Sequence, residues 1–122
     1  MSDLYNMLRK LGGNYHLEGT AFLSEPERTE ELEKIRASYI QRGSIDEALR
    51  TAEIMGCELK TDEIMQILTK CVDALRMDKA RKVADLLPEP QRTKELEKVL
   101  TICMEHEWLT EARKIADILL RR

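Results

Sequence analysis

DKARKVADLL at 78–87 and TEARKIADIL at 110–119 share six identical letters and lie 32 positions apart. A chain of 122 residues that says nearly the same thing twice is built from a repeated unit, so the rest of the sequence is read in blocks of 32. Thr29, Thr61 and Thr93 each start a block. Leu32, Ile64 and Leu96 follow, then Ile35, Ile67 and Val99, then Tyr39, Cys71 and Cys103 with Ile40, Val72 and Met104 beside them. These offsets place one apolar stripe on one face of an α-helix, stated three times; we name it helix A.

The second half of each block repeats as well. Ile45, Met77 and Leu109 open it, followed by Ala48, Ala80 and Ala112, then Ala52, Ala84 and Ala116, then Met55, Leu87 and Leu119. This is again one helical face, helix B, with two alanines one turn apart where a neighbouring backbone can approach closely. Only two or three residues separate A from B, which forces an antiparallel hairpin. The punctuation agrees. RGS at 42–44 parts A from B in the first block, and Ser44 with Glu47 has capping-box spacing. Gly56 is a C-cap candidate and Thr61 an N-cap candidate. The prolines of LPEPQR at 87–92 close the second block, because proline cannot continue a helix.

Residues 1–28 repeat poorly. Leu4, Met7, Leu8 and Leu11 still share a helical face, GGN at 12–14 reads as a break, and a second short helix is expected through 16–23. Ser24 and Glu27 spell another capping box, with Pro26 in the first turn. The expectation is therefore an N-terminal capping segment over 1–28 followed by three hairpin repeats at 29–60, 61–92 and 93–122 within one domain. The fold class is all-α: a right-handed stack of antiparallel helical hairpins with seven or eight helices.

Composition supports this and narrows the function. Ala, Leu, Glu, Lys and Arg, the strong helix formers, dominate. Charged residues make up 35% and aromatics 4%, so the surface faces water. The net charge of −3 argues against nucleic acid as the main ligand, since phosphate neutralisation needs a basic surface. No run of about 18 apolar residues points to a membrane span. The opening residues MSDLYNMLRKLGG lack the apolar block of a secretory signal. Cys57, Cys71 and Cys103 are an odd set with no CxxC, which reads as reduced thiols in a cytoplasmic protein.

YIQRGSIDEALRTAEIMG at 39–56 resembles the core of a tetratricopeptide or pentatricopeptide repeat, where a small residue ends helix A and an EAL-type opening starts helix B. The likeness covers roughly residues 29–122. The period is 32 rather than 34 or 35, and Leu75 and Glu107 stand where the first block has Gly43. The tetratricopeptide tryptophan and proline are out of register, so no RNA-reading or peptide-clamping residue is carried over. The build, with GGNYH at 12–16, is also similar to the tetratricopeptide-type chaperones of bacterial type III secretion.

No constellation carries reaction chemistry. Arg50, Lys82 and Lys114 recur at 32 residues, but so do Glu53, Asp85 and Asp117, and pairing of each cation with the acid three residues later is the expectation. Cys71 and Cys103 occupy the apolar slot of Tyr39 and read as small buried hydrophobes. His106 has no nucleophile at a helical offset, no cysteine–histidine spacing suits a metal, and no glycine loop suits a phosphate. The expectation is a non-enzymatic chain without cofactor or metal: an adaptor or chaperone-like protein-interaction module. It would hold a protein segment in a groove lined by the A helices. The groove candidates are the A positions off the core stripe: Lys34, Ser38 and Gln41, then Gln66, Lys70 and Asp73, then Lys98, Thr101 and Glu105. Their mixed signs suit a peptide better than a polyanion. Single-stranded RNA binding of the pentatricopeptide kind and a type III secretion chaperone role are the alternatives. Trp108, in the last A-to-B turn, and Ile115, Ile118 and Leu120, on a final helix that no later repeat covers, are candidate interface residues for a partner or a homodimer.

Overall fold

The computed structural model describes residues 3–121, and every described regular element is helical. Eight α-helices run in order: α1 (Asp3–Leu11), α2 (Gly13–Gly19), α3 (Glu27–Arg42), α4 (Ile45–Met55), α5 (Thr61–Asp73), α6 (Met77–Ala84), α7 (Gln91–Glu105) and α8 (Leu109–Leu120). A short 3₁₀ turn, Thr20–Phe22, follows α2. The A helices of the three blocks are α3, α5 and α7; the B helices are α4, α6 and α8. The chain divides into two compact units between Leu59 and Lys60, at the seam between the first and second 32-residue blocks. Each unit is described by itself.

In the first unit, α1 packs on α2, the 3₁₀ turn touches α1, α2 and α3, and α3 forms a hairpin with α4. Gly12 makes the break between α1 and α2 at φ 74°, a left-handed angle that glycine adopts without a Cβ clash; α2 already begins at Gly13. Leu32, Ile35, Tyr39 and Ile40 of α3 and Ile45, Ala48 and Ala52 of α4 are buried, as the apolar stripes predict. In the second unit, α5 pairs with α6 and α7 with α8, and α6 also packs on both α7 and α8. Two hairpins thus share one core, made of Ile64, Ile67, Leu68 and Cys71 from α5, Met77, Ala80, Val83 and Ala84 from α6, and Leu96, Val99, Cys103, Ala112 and Ile115 from α7 and α8. The small alanines of α6 let it lie between two neighbours.

One backbone feature recurs at 32-residue spacing where the letters differ. Gly43, Leu75 and Glu107, one block apart, all take left-handed backbone, at φ 74°, 56° and 60°. After each of them the next amide reaches back across the helix end: Ser44 N–H to Tyr39 O, Arg76 N–H to Cys71 O and Trp108 N–H to Cys103 O, all at 2.9 Å. This six-to-one closure ends helix A and turns the chain into helix B. Glycine performs it at no steric cost; leucine and glutamate perform it under strain of about 1 kcal/mol each. Gly56 closes α4 in the same manner at φ 72°, with Cys57 N–H donating to Ala52 O at 2.9 Å.

The helix starts differ from the expected caps. Ser44 occupies the N-cap of α4, yet its hydroxyl makes no cap hydrogen bond. Thr61 is the first helical residue rather than the cap; Lys60 is the cap, and Glu63 Oε1 accepts from its N–H at 2.8 Å. The Ser24–Glu27 box is replaced by another device. Pro26 caps α3 and Pro90 caps α7, and in each case the hydroxyl of a first-turn threonine, Thr29 or Thr93, donates to the glutamate just before the proline, Glu25 or Glu89. The third block therefore copies the start of the first, while the second uses its own.

The predicted charge pairing also changes. Arg50 binds Glu18 at 2.7 Å rather than Glu53, tying α4 to α2. Lys114 turns back to Glu111 at 3.4 Å, and Asp85 takes Arg92. The described pairs at three-residue spacing, Glu25–Arg28, Glu31–Lys34, Glu95–Lys98 and Glu111–Lys114, all have the acid first. That is the order the helix dipole favours, and the predicted pairs had it reversed.

Candidate functional site

The second unit carries an open cleft of about 160 Å³ between its two A helices. Leu68 and Val72 of α5 face Val99 and Ile102 of α7 across its floor. Thr69 and Asp73 form one rim and Glu95 and Lys98 the other. The floor exists because each A helix has a wider apolar arc than its own hairpin can cover: Leu68 and Val99 are buried, whereas Val72 and Ile102 stay half-exposed. On the rim, Lys98 Nζ lies 3.2 Å from Glu95 Oε1, so those two charges offset one another. Thr69 spends its hydroxyl on Met65 O at 2.9 Å. Asp73, exposed at the last turn of α5, makes no ion pair among the described residues and leaves the rim acidic.

Two of the nine predicted groove residues, Asp73 and Lys98, line this cleft. Gln66 and Lys70 on α5, and Thr101 and Glu105 on α7, are exposed on the same helices outside it; Thr101 Oγ1 donates to Glu97 O at 2.9 Å. Lys34, Ser38 and Gln41 lie on α3 in the first unit. Lys34 sits 3.6 Å from Glu31, Ser38 Oγ accepts from Arg42 at 2.8 Å, and Gln41 is exposed. Thr69, Glu95 and the apolar floor were missed. Their signal was present: Leu68 and Ile102 widen the apolar stripe by one position beside the core residues.

At the turn end of the same unit, Leu75, Met77, Asp78, Trp108 and Glu111 surround a shallow hollow. Trp108 caps the start of α8, stacks on His106 with ring centroids 4.4 Å apart and planes 14° from parallel, and keeps 37% of its surface exposed. Met77 is buried beside it, while its counterpart Leu109, with no described hairpin beyond it, is exposed. Arg81 reaches Glu111 at 3.1 Å and pins α6 to α8 beneath the hollow. The expected interface on α8 is split. Ile115 is fully buried because it shares the inward face with Ala112 toward α6 and α7; Ile118 is half-buried; Leu120 alone stands clear, at 81% exposure.

The first unit holds a polar cluster that no spacing announces. Tyr5 is fully buried, and its hydroxyl donates to Glu31 Oε2 at 3.0 Å and lies 2.9 Å from His16 Nε2. The phenol has one proton and the carboxylate can only accept it, so His16 carries its proton on Nε2 and donates to the Tyr5 oxygen. Burial, then the hydrogen bond and charge of Glu31, push the Tyr5 phenol up to about 12. Burial and the charge of Arg9 hold the His16 imidazole below its ordinary range, opposed by Glu31. These are three side chains from α1, α2 and α3 that satisfy one another. Tyr5 is sealed from solvent and His16 is half-buried, and the arrangement ties the three helices together.

Cys71 and Cys103 are buried, and burial raises both thiols above the usual range; Cys57 is exposed. Among the described residues no three His, Cys, Asp or Glu side chains gather as a metal set, and no helix is long and apolar enough to cross a membrane. Comparison with protein-family models, with curated proteins and with solved structures finds no match for this chain.

Proposed function

We propose that this chain is a protein-interaction module of the adaptor or chaperone-like kind, built as a right-handed tetratricopeptide-like hairpin repeat. It holds a segment of another polypeptide on its A helices. The observation that carries the reading is the cleft between α5 and α7, with its apolar floor of Leu68, Val72, Val99 and Ile102 and its charged rim. A short amphipathic segment fits such a site: apolar anchors enter between the helices and polar flanks meet the rim. The rim is mixed in sign with an acidic excess at Asp73, which favours a polypeptide over a polyanion.

Capture from native lysate, with and without nuclease, tests this with Asp73→Lys and Lys98→Glu as groove variants. Both residues are exposed, so the variants retain the fold. The expected outcome is a polypeptide captured equally after nuclease treatment, lost with Asp73→Lys and changed in affinity with Lys98→Glu. Nuclease-sensitive capture, with a steep salt dependence and no response to the groove variants, would replace this reading with single-stranded RNA binding.

A further inference from the structure

The first unit displays a surface that matches the cleft of the second. Helix α1 is apolar on two faces. Tyr5 points inward and is sealed. On the opposite side Leu4, Met7 and Leu11, at i, i+3 and i+7, stand 40%, 58% and 67% exposed. Three large apolar side chains in one helical row, uncovered by any described element, form an unpartnered face of the kind that docks into a groove. Lys10, exposed, lies at the edge of that row, three residues after Met7 and next to Leu11.

The cleft between α5 and α7 has the reciprocal features. Its floor is aliphatic, and its size admits one or two side chains of the Met or Leu class. The Glu95–Lys98 pair cancels on one rim, which leaves the charge of Asp73 on the other. An occupant therefore needs two apolar anchors about one helical turn apart and a cation beside them. Met7, Leu11 and Lys10 supply those on a helix that is already formed, so docking orders no new backbone.

We propose that the occupant of the cleft is α1 of a second copy of this chain. Met7 and Leu11 enter between α5 and α7, and Lys10 meets Asp73. The proposal rests on the reading of the cleft as a docking groove and names its partner. The contact is heterologous: each copy offers α1 to one neighbour and the cleft to another, so association closes into a ring or extends as a row. A helix edge in a small cleft buries too little surface for a permanent dimer, so the assembly is weak and concentration-dependent.

Sedimentation velocity over a concentration series up to ~1 mM, a range suited to so small an interface, tests this with the wild type, Lys10→Glu, Asp73→Lys and an equimolar mixture of the two variants. Circular dichroism checks that each is folded; both sites are exposed. The expected result is self-association of the wild type and association at least ~5-fold weaker for each variant alone, from one lost exposed ion pair and the like charges put in its place. The mixture recovers the wild-type behaviour. Lys10 of the Asp73→Lys chain meets Asp73 of the Lys10→Glu chain, and in the reciprocal contact the two introduced side chains meet with opposite charge. Met7→Ser removes an apolar anchor without adding a charge, and abolishes association. A wild type that stays monomeric throughout, variants that associate as well as wild type, or a mixture no better than its components would each overturn the proposal. If the wild type is monomeric while Asp73→Lys still abolishes capture of a lysate polypeptide, self-docking fails and the groove reading stands.

Discussion

The two compact units close their helices by different chemistry. The buried polar side chains among the described residues, Thr20, Glu31 and Thr51, all lie in the first unit. Thr20 and Thr51 satisfy themselves locally, donating to Leu17 O and Glu47 O. Glu31 is the acceptor of the Tyr5 hydroxyl, in the cluster that joins α1, α2 and α3. The second unit buries an aliphatic and thiol core in which α6 packs between α5 and the α7–α8 hairpin. A repeated apolar stripe can be copied from block to block. A polar joint cannot, because each member needs a particular partner at a particular distance. The departure of residues 1–28 from the repeat thus coincides with the part of the fold held by specific hydrogen bonds.

Damage to the apolar joint should be the more severe. Leu96 is completely buried at the centre of α7. Leu96→Ala removes aliphatic contacts in a core that cannot relax far, and is expected to cost about 3 kcal/mol in urea unfolding followed by Trp108 fluorescence. A loss under about 1 kcal/mol would show that α7 is not the centre of that core. Tyr5→Phe attacks the other joint. It keeps the ring and removes only the hydroxyl, leaving the buried Glu31 carboxylate without its donor, at a cost of about 2 kcal/mol by the same method followed by circular dichroism. A neutral Tyr5→Phe would mean that solvent already reaches Glu31.

Acid separates the units more finely. His16 is held below its ordinary pKa in the folded chain, so the folded state resists protonation that the unfolded state accepts. Its contribution is fully present above about 6.5, and is lost as pH falls from there through the folded value. Unfolding at pH 7 and pH 5 should therefore show a weaker first unit in acid, read by amide exchange in α1 and α2, and His16→Gln should flatten that slope. The loss should be smaller than that of Tyr5→Phe, since the Nε2–H bond to Tyr5 survives protonation. In the alkaline direction the order reverses in sign. Tyr5, raised to about 12, stays protonated after an unfolded tyrosine ionises, so stability present below pH 10 is lost as pH climbs toward 12.

The difference between the units also marks what a reader of the letters can see. Leu32, Ile64 and Leu96 are all buried where the 32-residue register puts them, because helical periodicity writes a core directly into sequence. The Tyr5–His16–Glu31 cluster joins residues 11 and 26 positions apart on three separate helices, and only tertiary packing brings them together. The cleft was half legible: Asp73 and Lys98 follow from the A-helix register, whereas the floor depends on how far α5 and α7 stand apart. Leu109 and Ile115 show the same limit. The stripe names Leu109 as inward, yet it is exposed where its counterpart Met77 is buried, with no described hairpin beside it; Ile115, off the stripe and expected at an interface, is fully buried.

The smallest effect bears on the turns, where register predicts more than residue identity does. Gly43 fits its left-handed angle; Leu75, at φ 56° in the same slot of the next block, does not. Leu75 is more than half exposed, so its side chain contributes little burial that a glycine would forfeit. Leu75→Gly relieves roughly 1 kcal/mol of backbone strain, while the greater freedom of glycine in the unfolded chain takes part of that back. A net gain of about 0.5 kcal/mol is expected in urea unfolding, and Gly43→Ala should lose about 1 kcal/mol at the corresponding turn. If Leu75→Gly destabilises instead, Leu75 is held by the hollow it shares with Met77 and Trp108. The strained turn would then be maintained for that surface rather than tolerated by the repeat.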